Sequence, residues 1–441
     1  MGKFAKPILI IVLISLFFTI LSLLIKVNYS SEDISKIDSG DVAFVAMAAA
    51  LVMLMTPALG FFYAGLVRKN NILSMLVQSI TIFALVSVIW ALFAYSLAFA
   101  PSINGIIGNL SFFGLKGVGF APDESYAGTI PALLFFFFQL KFAAITPALI
   151  IGAFAGRIKF SSLLIFILLW TTLIYAPVAH WVWGVGGWLR ELGALDFAGG
   201  TVVHILAGFS ALAGAIVIGK RKAESDGKPS NIPFVILGAA LLWFGWFGFN
   251  GGSALAANGL AINALVVTNI AAACAALSWM LTDWFSKGKP TATGTAIGAV
   301  CGLVAITPAS GFVSPLASVV IGLMAGMVSN LVANWRLERT KLDDTLDVFA
   351  CHGVSGVWGA LATGIFASTM VNSAGRNGLL FGNPLQLTIQ TIAVIASATF
   401  AFVGSFILFK LIDKTVGLRV SKEDEEKGLD ISHHGESAFE N

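Results

Sequence analysis

The sequence predicts an all-α polytopic membrane protein with eleven core transmembrane helices, on three observations. Of the 441 residues, 57% are hydrophobic and only 11% are charged, where a soluble chain carries about a quarter charged residues. Apolar runs of about 20 residues, long enough to cross a bilayer, recur from end to end. The loops between them alternate between basic and nearly free of basic residues. The net charge of +3 gives no reason to expect nucleic acid, because the basic residues sit in short loops. Cys274, Cys301 and Cys351 all fall in apolar runs, without metal-ligand spacing or an obvious disulfide set. Neither a metal nor a cofactor is expected, and nothing points to an enzyme.

Residues 1–29 are either a signal peptide or an additional N-terminal helix. Lys3 and Lys6 precede an apolar run from Pro7 to Ile25. That run exceeds the apolar core of about 7–15 residues in a signal peptide, and the residues after it make a poor cleavage site. Either reading puts residues 30–40 outside the cell. The transmembrane domain follows over 41–412. Its spans lie near 41–66, 71–100, 130–154, 161–183, 198–219, 233–251, 261–286, 291–308, 313–335, 347–371 and 385–412. One set of loops holds Arg68 and Lys69, Arg157 and Lys159, the Lys220 to Lys222 cluster, Lys287 and Lys289, and Arg336, Arg339 and Lys341. The other set holds only Lys116, Arg190 and Arg376. The positive-inside rule then orients a multi-pass cell-membrane protein, with the core's N-terminus outside and its C-terminus in the cytoplasm. The tail, 413–441, is too polar to span.

Eleven spans divide into two inverted five-helix repeats plus a final helix. Span 5 opens with Asp196 outside and reaches His204, about 12 Å deeper in a helix. Span 10 opens with Asp347 inside and reaches His352. Ionisable groups at membrane depth are costly, so they line a cavity or meet a partner. In transporters, sites tend to lie near the midplane where such halves meet. The two histidines are therefore expected to face each other. Each alone has the plainer reading of a hydrogen bond to a neighbouring helix. Asp196 has a second reading too, as the cap of its own helix. For Asp343, Asp344 and Asp347, an exit role stands beside a solvated loop and a cap.

Aromatic residues form the second constellation. Trp183 ends span 4 outside, Phe138 and Phe142 lie in span 3, and Phe249 and Ser253 end span 6. Trp183 as an ordinary interfacial residue is the default. The functional reading is an outer vestibule where a cation rests on a π face, worth about 2 kcal/mol when desolvated. The Ser253 hydroxyl would assist, and Phe142 and Phe249 would close a dry constriction beneath.

Several motifs carry a resemblance. Asp196 to His204 (DFAGGTVVH), Trp246 to Ser253 (WFGFNGGS) and Asp347 to Gly353 (DVFACHG) look like ammonium transporters of the Amt/Mep/Rh superfamily, the Amt branch above all. Gly60 to Arg68, Phe142 to Leu149 and the tail from Glu426 to Phe439 agree, so the resemblance covers about 41–441. It implies a homotrimer with one pore per subunit and a twin-histidine pair, His204 and His352. It implies ammonium recruitment at Trp183, Phe142 and Ser253, a buried acid at Asp196, and a gate of Phe142 and Phe249 with Phe138 beside it. The substrates would be ammonium, ammonia and methylammonium, and the tail suggests regulation by a PII-type protein at the cytoplasmic face. Cytoplasmic exit past Asp347 completes the expected path. NH4+ would be recruited outside, deprotonated near Asp196, and conducted as NH3 along the histidines.

Lys141 departs from that pattern, since family members usually carry an uncharged residue there. Lining the vestibule, it would repel ammonium and favour a sensor with little conduction. A Rh-type gas channel is a second alternative, opposed by the cation-binding vestibule. A membrane haem protein with His204 and His352 as axial ligands is a third, opposed by the lack of any redox motif.

Overall fold

The computed structural model describes residues 5–25, 34–223 and 228–439. Ten helices among them are long and apolar enough to cross a membrane: Ser39–Leu66, Lys69–Phe99, Ala132–Phe154, Phe160–Leu192, Gly200–Ile218, Ile232–Gly251, Gly259–Lys287, Pro315–Arg339, Phe349–Phe366 and Pro384–Thr415. These occupy the places of spans 1–7 and 9–11. Span 8 is represented by the shorter helix Ala292–Ile306, which runs on into buried irregular turns through Val313. Irregular backbone at membrane depth is tolerated where protein surrounds it.

The ends fall close to expectation, with two differences. Span 4 carries an extra turn, Trp188–Leu192, and span 10 stops at Phe366 rather than near 371. Beyond Phe366 the backbone is tied down instead, by Ser368 N–H donating to Phe312 O and Gly378 N–H to Ala367 O. The segment 1–29 contains a helix, Ala5–Leu24, whose residues Ile11, Phe17 and Ile20 are exposed. Residues 1–4 and 26–33 lie outside the described residues. One two-stranded hairpin, Ser102–Ile103 with Ile107–Gly108, sits in the loop after span 2.

Small residues let these helices approach closely, as in membrane packing generally. Span 7 is the clearest case. A Cβ at Gly302 of span 8 or at Gly322 of span 9 would lie 2.4 or 2.3 Å from Ala271 O. One turn on, Gly326 stands in the same relation to Ala275 O. The expected tail does not span. It folds against the face carrying the basic loops as a short helix, Lys422–Lys427, and a turn, Asp430–His434. The Asp430 carboxylate accepts from Leu73 N and Ser74 N (3.1 and 2.7 Å) at the start of span 2. Glu425 accepts from Lys222 N and Arg419, and its carbonyl from Arg68.

Several spans are not uniform α-helix. Wider π-helical turns interrupt them at Trp90–Ala94, Thr171–Tyr175, Gly200–Ile205, Phe247–Gly251 and Phe349–Val354. Such turns are rare and often mark functional sites. Three of the five carry His204, Phe249 and His352.

Candidate functional site

Asp196 sets the start of span 5. Its carboxylate accepts from four successive backbone N–H groups: Gly199 (2.8 Å), Gly200 (2.7 Å), Thr201 (2.8 Å) and Val202 (3.1 Å). A helix start has N–H donors without intrahelical partners, and here one side chain satisfies them all. Gly199 adopts φ +108, open to glycine and strained for other residues. The Asp196 carboxylate is therefore turned to its own helix. The residue is absent from the lining of the aromatic cavity beside it, and meets it indirectly, through its carbonyl, which accepts from Trp183 Nε1 at 2.9 Å.

That cavity, of about 220 Å³, is lined by Phe138, Phe142, Trp183 and Ser253, with Tyr126, Phe135, Gln139, Arg190 and Phe197 around them. Ser253 Oγ donates to Phe249 O at 2.8 Å, which leaves its oxygen lone pairs free to accept. Gln139 was missed by the sequence reading. Its Oε1 is buried without a hydrogen-bond partner, making it a second acceptor in the cavity wall. Beneath lie Phe142 and Phe249, with ring centroids 4.2 Å apart and both fully buried. Phe138 packs edge-on against Phe142 at 5.0 Å, and Trp183 does so from the other side at 6.0 Å.

His204 and His352 meet below this pair. Their Nδ1 atoms are 3.3 Å apart and the rings lie at 17° to each other. Two imidazoles so placed share one proton between facing nitrogens, one donating and one accepting. His204 Nε2 is buried without a partner. The rings border a cavity of about 10 Å³ with Met55, Leu59, Ile145, Leu149, Leu242, Trp246, Phe249 and Val300. That is about the room for one water-sized solute. Trp246 and Tyr63 lie in motifs quoted above without a role of their own, and Thr307 lies in none. Trp246 stacks on His204 at 5.3 Å and 20°, and its Nε1 donates to Thr307 Oγ1 at 2.9 Å. Tyr63 Oη donates to Leu149 O at 2.8 Å, fixing the wall of the same cavity.

The acid at the start of span 10 is Asp344, a correction to the expected Asp347. Asp344 accepts from Val348 N (3.1 Å) and Phe349 N (2.8 Å). A signal was present: both 196 to 204 and 344 to 352 are steps of eight residues. Asp347 instead adopts φ +54 and pairs with Arg336 at 2.7 Å. It lines a cavity of about 240 Å³ on the face of the basic loops, with Arg68, Arg221, Lys228, Arg336 and Glu425. Asp343 pairs with Arg221 and Arg157. Burial pushes the Asp343 carboxyl up, but the two guanidinium groups outweigh it and hold the group below the usual range.

Burial first, and then the charge of Asp347, pushes the Asp344 carboxyl up to about 6. A carboxyl raised in the folded state resists ionisation, so its charge costs stability as pH rises from about 4 towards about 6. Asp344→Asn removes that charge. The melting temperature of the variant relative to the wild type should therefore climb across this interval and level off above it. Parallel curves would show that Asp344 does not titrate there.

Lys141 turns away from the aromatic cavity. Its Nζ lies 3.5 Å from the Phe137 ring centroid and 5.3 Å from that of Phe83, and no ion pair is found for it among the described residues. Adjacent helical residues diverge by about 100°, so Phe142 faces the aromatic cavity while Lys141 faces span 2.

A bundle of membrane-spanning helices that buries two imidazoles on a small apolar cavity, with a larger cavity toward each end, is suited to moving a small solute. It is a membrane transport protein. A sequence profile of the Ammonium Transporter Family matches residues 43–439. The ammonium transporter Amt1 of Archaeoglobus fulgidus is 50% identical over 402 residues, 91% of this chain and 99% of its own. The crystal structure of Saccharomyces cerevisiae Mep2 matches with a TM-score of 0.82 at 37% identity, over 88% of this chain and 89% of that one. A sensor Amt protein matches with a TM-score of 0.81 at 32% identity, over 89% and 98%. The chain belongs to the ammonium transporter family, whose members are transporters and not enzymes.

Proposed function

We propose that this chain recruits NH4+ at Trp183, Phe142, Ser253 and Gln139, strips its proton, and conducts NH3 past His204 and His352 to an inner exit near Asp347. The observation that carries this reading is the imidazole pair on a cavity of about 10 Å³, beneath a closed phenylalanine pair. A bare cation in such a space loses its hydration without replacement, at a cost of many kcal/mol. Ammonium escapes that cost by releasing a proton, and potassium has none to release. The proton passes separately over the histidine pair. Asp196 supports recruitment by fixing the start of span 5 and the Trp183 indole.

The basic loops and the tail face the cytoplasm in this proposal. Exposed apolar side chains such as Met47, Ile262, Leu331 and Trp335 meet lipid and the other subunits of a homotrimer. The ordered tail offers a surface to a PII-type protein. A sensing role with little conduction is the second reading, supported by the likeness to a sensor Amt protein. Methylammonium is a further substrate, and its saturable uptake separates this proposal from a Rh-type gas channel.

The test is ammonium-dependent current in proteoliposomes, with potassium as the control. The wild type should carry ammonium and not potassium. His204→Ala should lose about a hundredfold of the current or more, the scale for removing a positioned proton-transfer group. An undiminished, ammonium-selective current in that variant would refute the relay. A folded wild type that binds methylammonium without current would favour the sensor.

A further inference from the structure

Two of the three cysteines stand side by side although 50 residues separate them in sequence. Cys301 Sγ of span 8 and Cys351 Sγ of span 10 are 3.5 Å apart, both free thiols and both buried. Each adjoins a residue of the narrow cavity, Val300 and His352 respectively. Cys351 lies within the π-helical turn Phe349–Val354 that presents His352. Nothing in the proposed path uses either sulfur.

We infer that Cys301 and Cys351 form an oxidative modification site, at which a small hydroperoxide converts the two thiols to a disulfide tying span 8 to the histidine-bearing turn of span 10. Access and effect rest on the transport reading, because a passage for a small neutral solute also admits hydrogen peroxide. One sulfur, as thiolate, attacks a peroxide oxygen. The S–O bond forms, the O–O bond breaks, and the departing hydroxide takes up the proton the thiol released, leaving as water. The second thiol then attacks the sulfenic sulfur. The S–S bond forms, the S–O bond breaks, and a second water leaves with the remaining thiol proton. Two electrons pass from the sulfurs to the peroxide, and a dithiol reductant reverses the change.

The mechanical consequence follows from distance. A disulfide bond is about 2.05 Å long, so closure draws the sulfurs together by about 1.5 Å. Span 10 has little slack beside this point, since Gly353 is packed on Gly208. The pull on Cys351 is therefore passed to the adjacent His352, whose Nδ1 stands 3.3 Å from that of His204. A misplacement of about 1 Å at a reacting group costs up to about a hundredfold in rate.

The full chain in proteoliposomes is treated with hydrogen peroxide, capped with a maleimide, and read by peptide mass and by ammonium current. A linked Cys301–Cys351 peptide lighter by two hydrogens is expected, with a fall in current of about tenfold or more that a dithiol restores. Cys301→Ser should conduct before treatment and ignore the peroxide. Cys274→Ser should respond as the wild type does. Absence of the linked peptide in treated, conducting protein overturns the site. A linked peptide with unchanged current overturns its regulatory effect, as does peroxide sensitivity persisting in Cys301→Ser. If the untreated wild type carries no ammonium current, the transport reading fails, while the mass measurement still decides whether the cross-link forms.

Discussion

Replacing Asp196 with alanine is expected to prevent accumulation of folded protein. The carboxylate accepts from four backbone N–H groups at the start of span 5, and the residue is only 8% exposed. Each buried donor left without a partner costs about 1–3 kcal/mol, so the loss is at least about 3 kcal/mol even with partial relaxation. Asp196→Asn keeps one acceptor oxygen and should fold with a lowered melting temperature. Thermal melting in detergent and ammonium current separate two roles. An asparagine variant that melts with the wild type but carries no current would show that the negative charge acts on ammonium, not on the helix start. Normal melting in Asp196→Ala would remove the capping account altogether.

The second large effect is expected from one added methyl group. A Cβ on Gly208 would lie 2.2 Å from Gly353 N and 2.3 Å from its Cα, well inside the contact distance of about 3.5 Å for non-bonded heavy atoms. Both neighbours are backbone, so no side chain can swing aside. Gly208→Ala must push spans 5 and 10 apart by about 1 Å. His204 lies one turn from Gly208 on the same helix face, and His352 precedes Gly353. The 3.3 Å contact between the imidazoles is then broken, and ammonium current should fall by about a hundredfold. Gly259→Ala is the control. Its added Cβ meets nothing within 4 Å, and it should leave melting and current unchanged. Current in Gly208→Ala equal to that of the control would mean the histidines need not touch.

Equal steps of eight residues to the two histidines pick out Asp196 and Asp344 together, whereas hydropathy favours Asp347, which lies nearer the expected membrane boundary. Hydropathy does not register which carboxylate turns back to the N–H groups of a helix start. Gln139 was hidden for a related reason. A glutamine within an apolar run has many readings, and only its neighbours show that its oxygen lacks a partner.

By itself the sequence determined the spans, the alternation of basic loops and the motifs that hold the site residues. These are local properties: a bilayer demands about 20 apolar residues in a row and offers no hydrogen bonds, so the helix pairs its own backbone groups within the segment. The tertiary structure alone decided which side chains meet. It brought His204 to His352 across 148 positions and Cys301 to Cys351 across 50, turned Lys141 to Phe137, and widened three helical turns at the site. Those outcomes depend on how closely whole helices approach. Contacts such as Gly208 on Gly353 set that approach, and no local pattern encodes it.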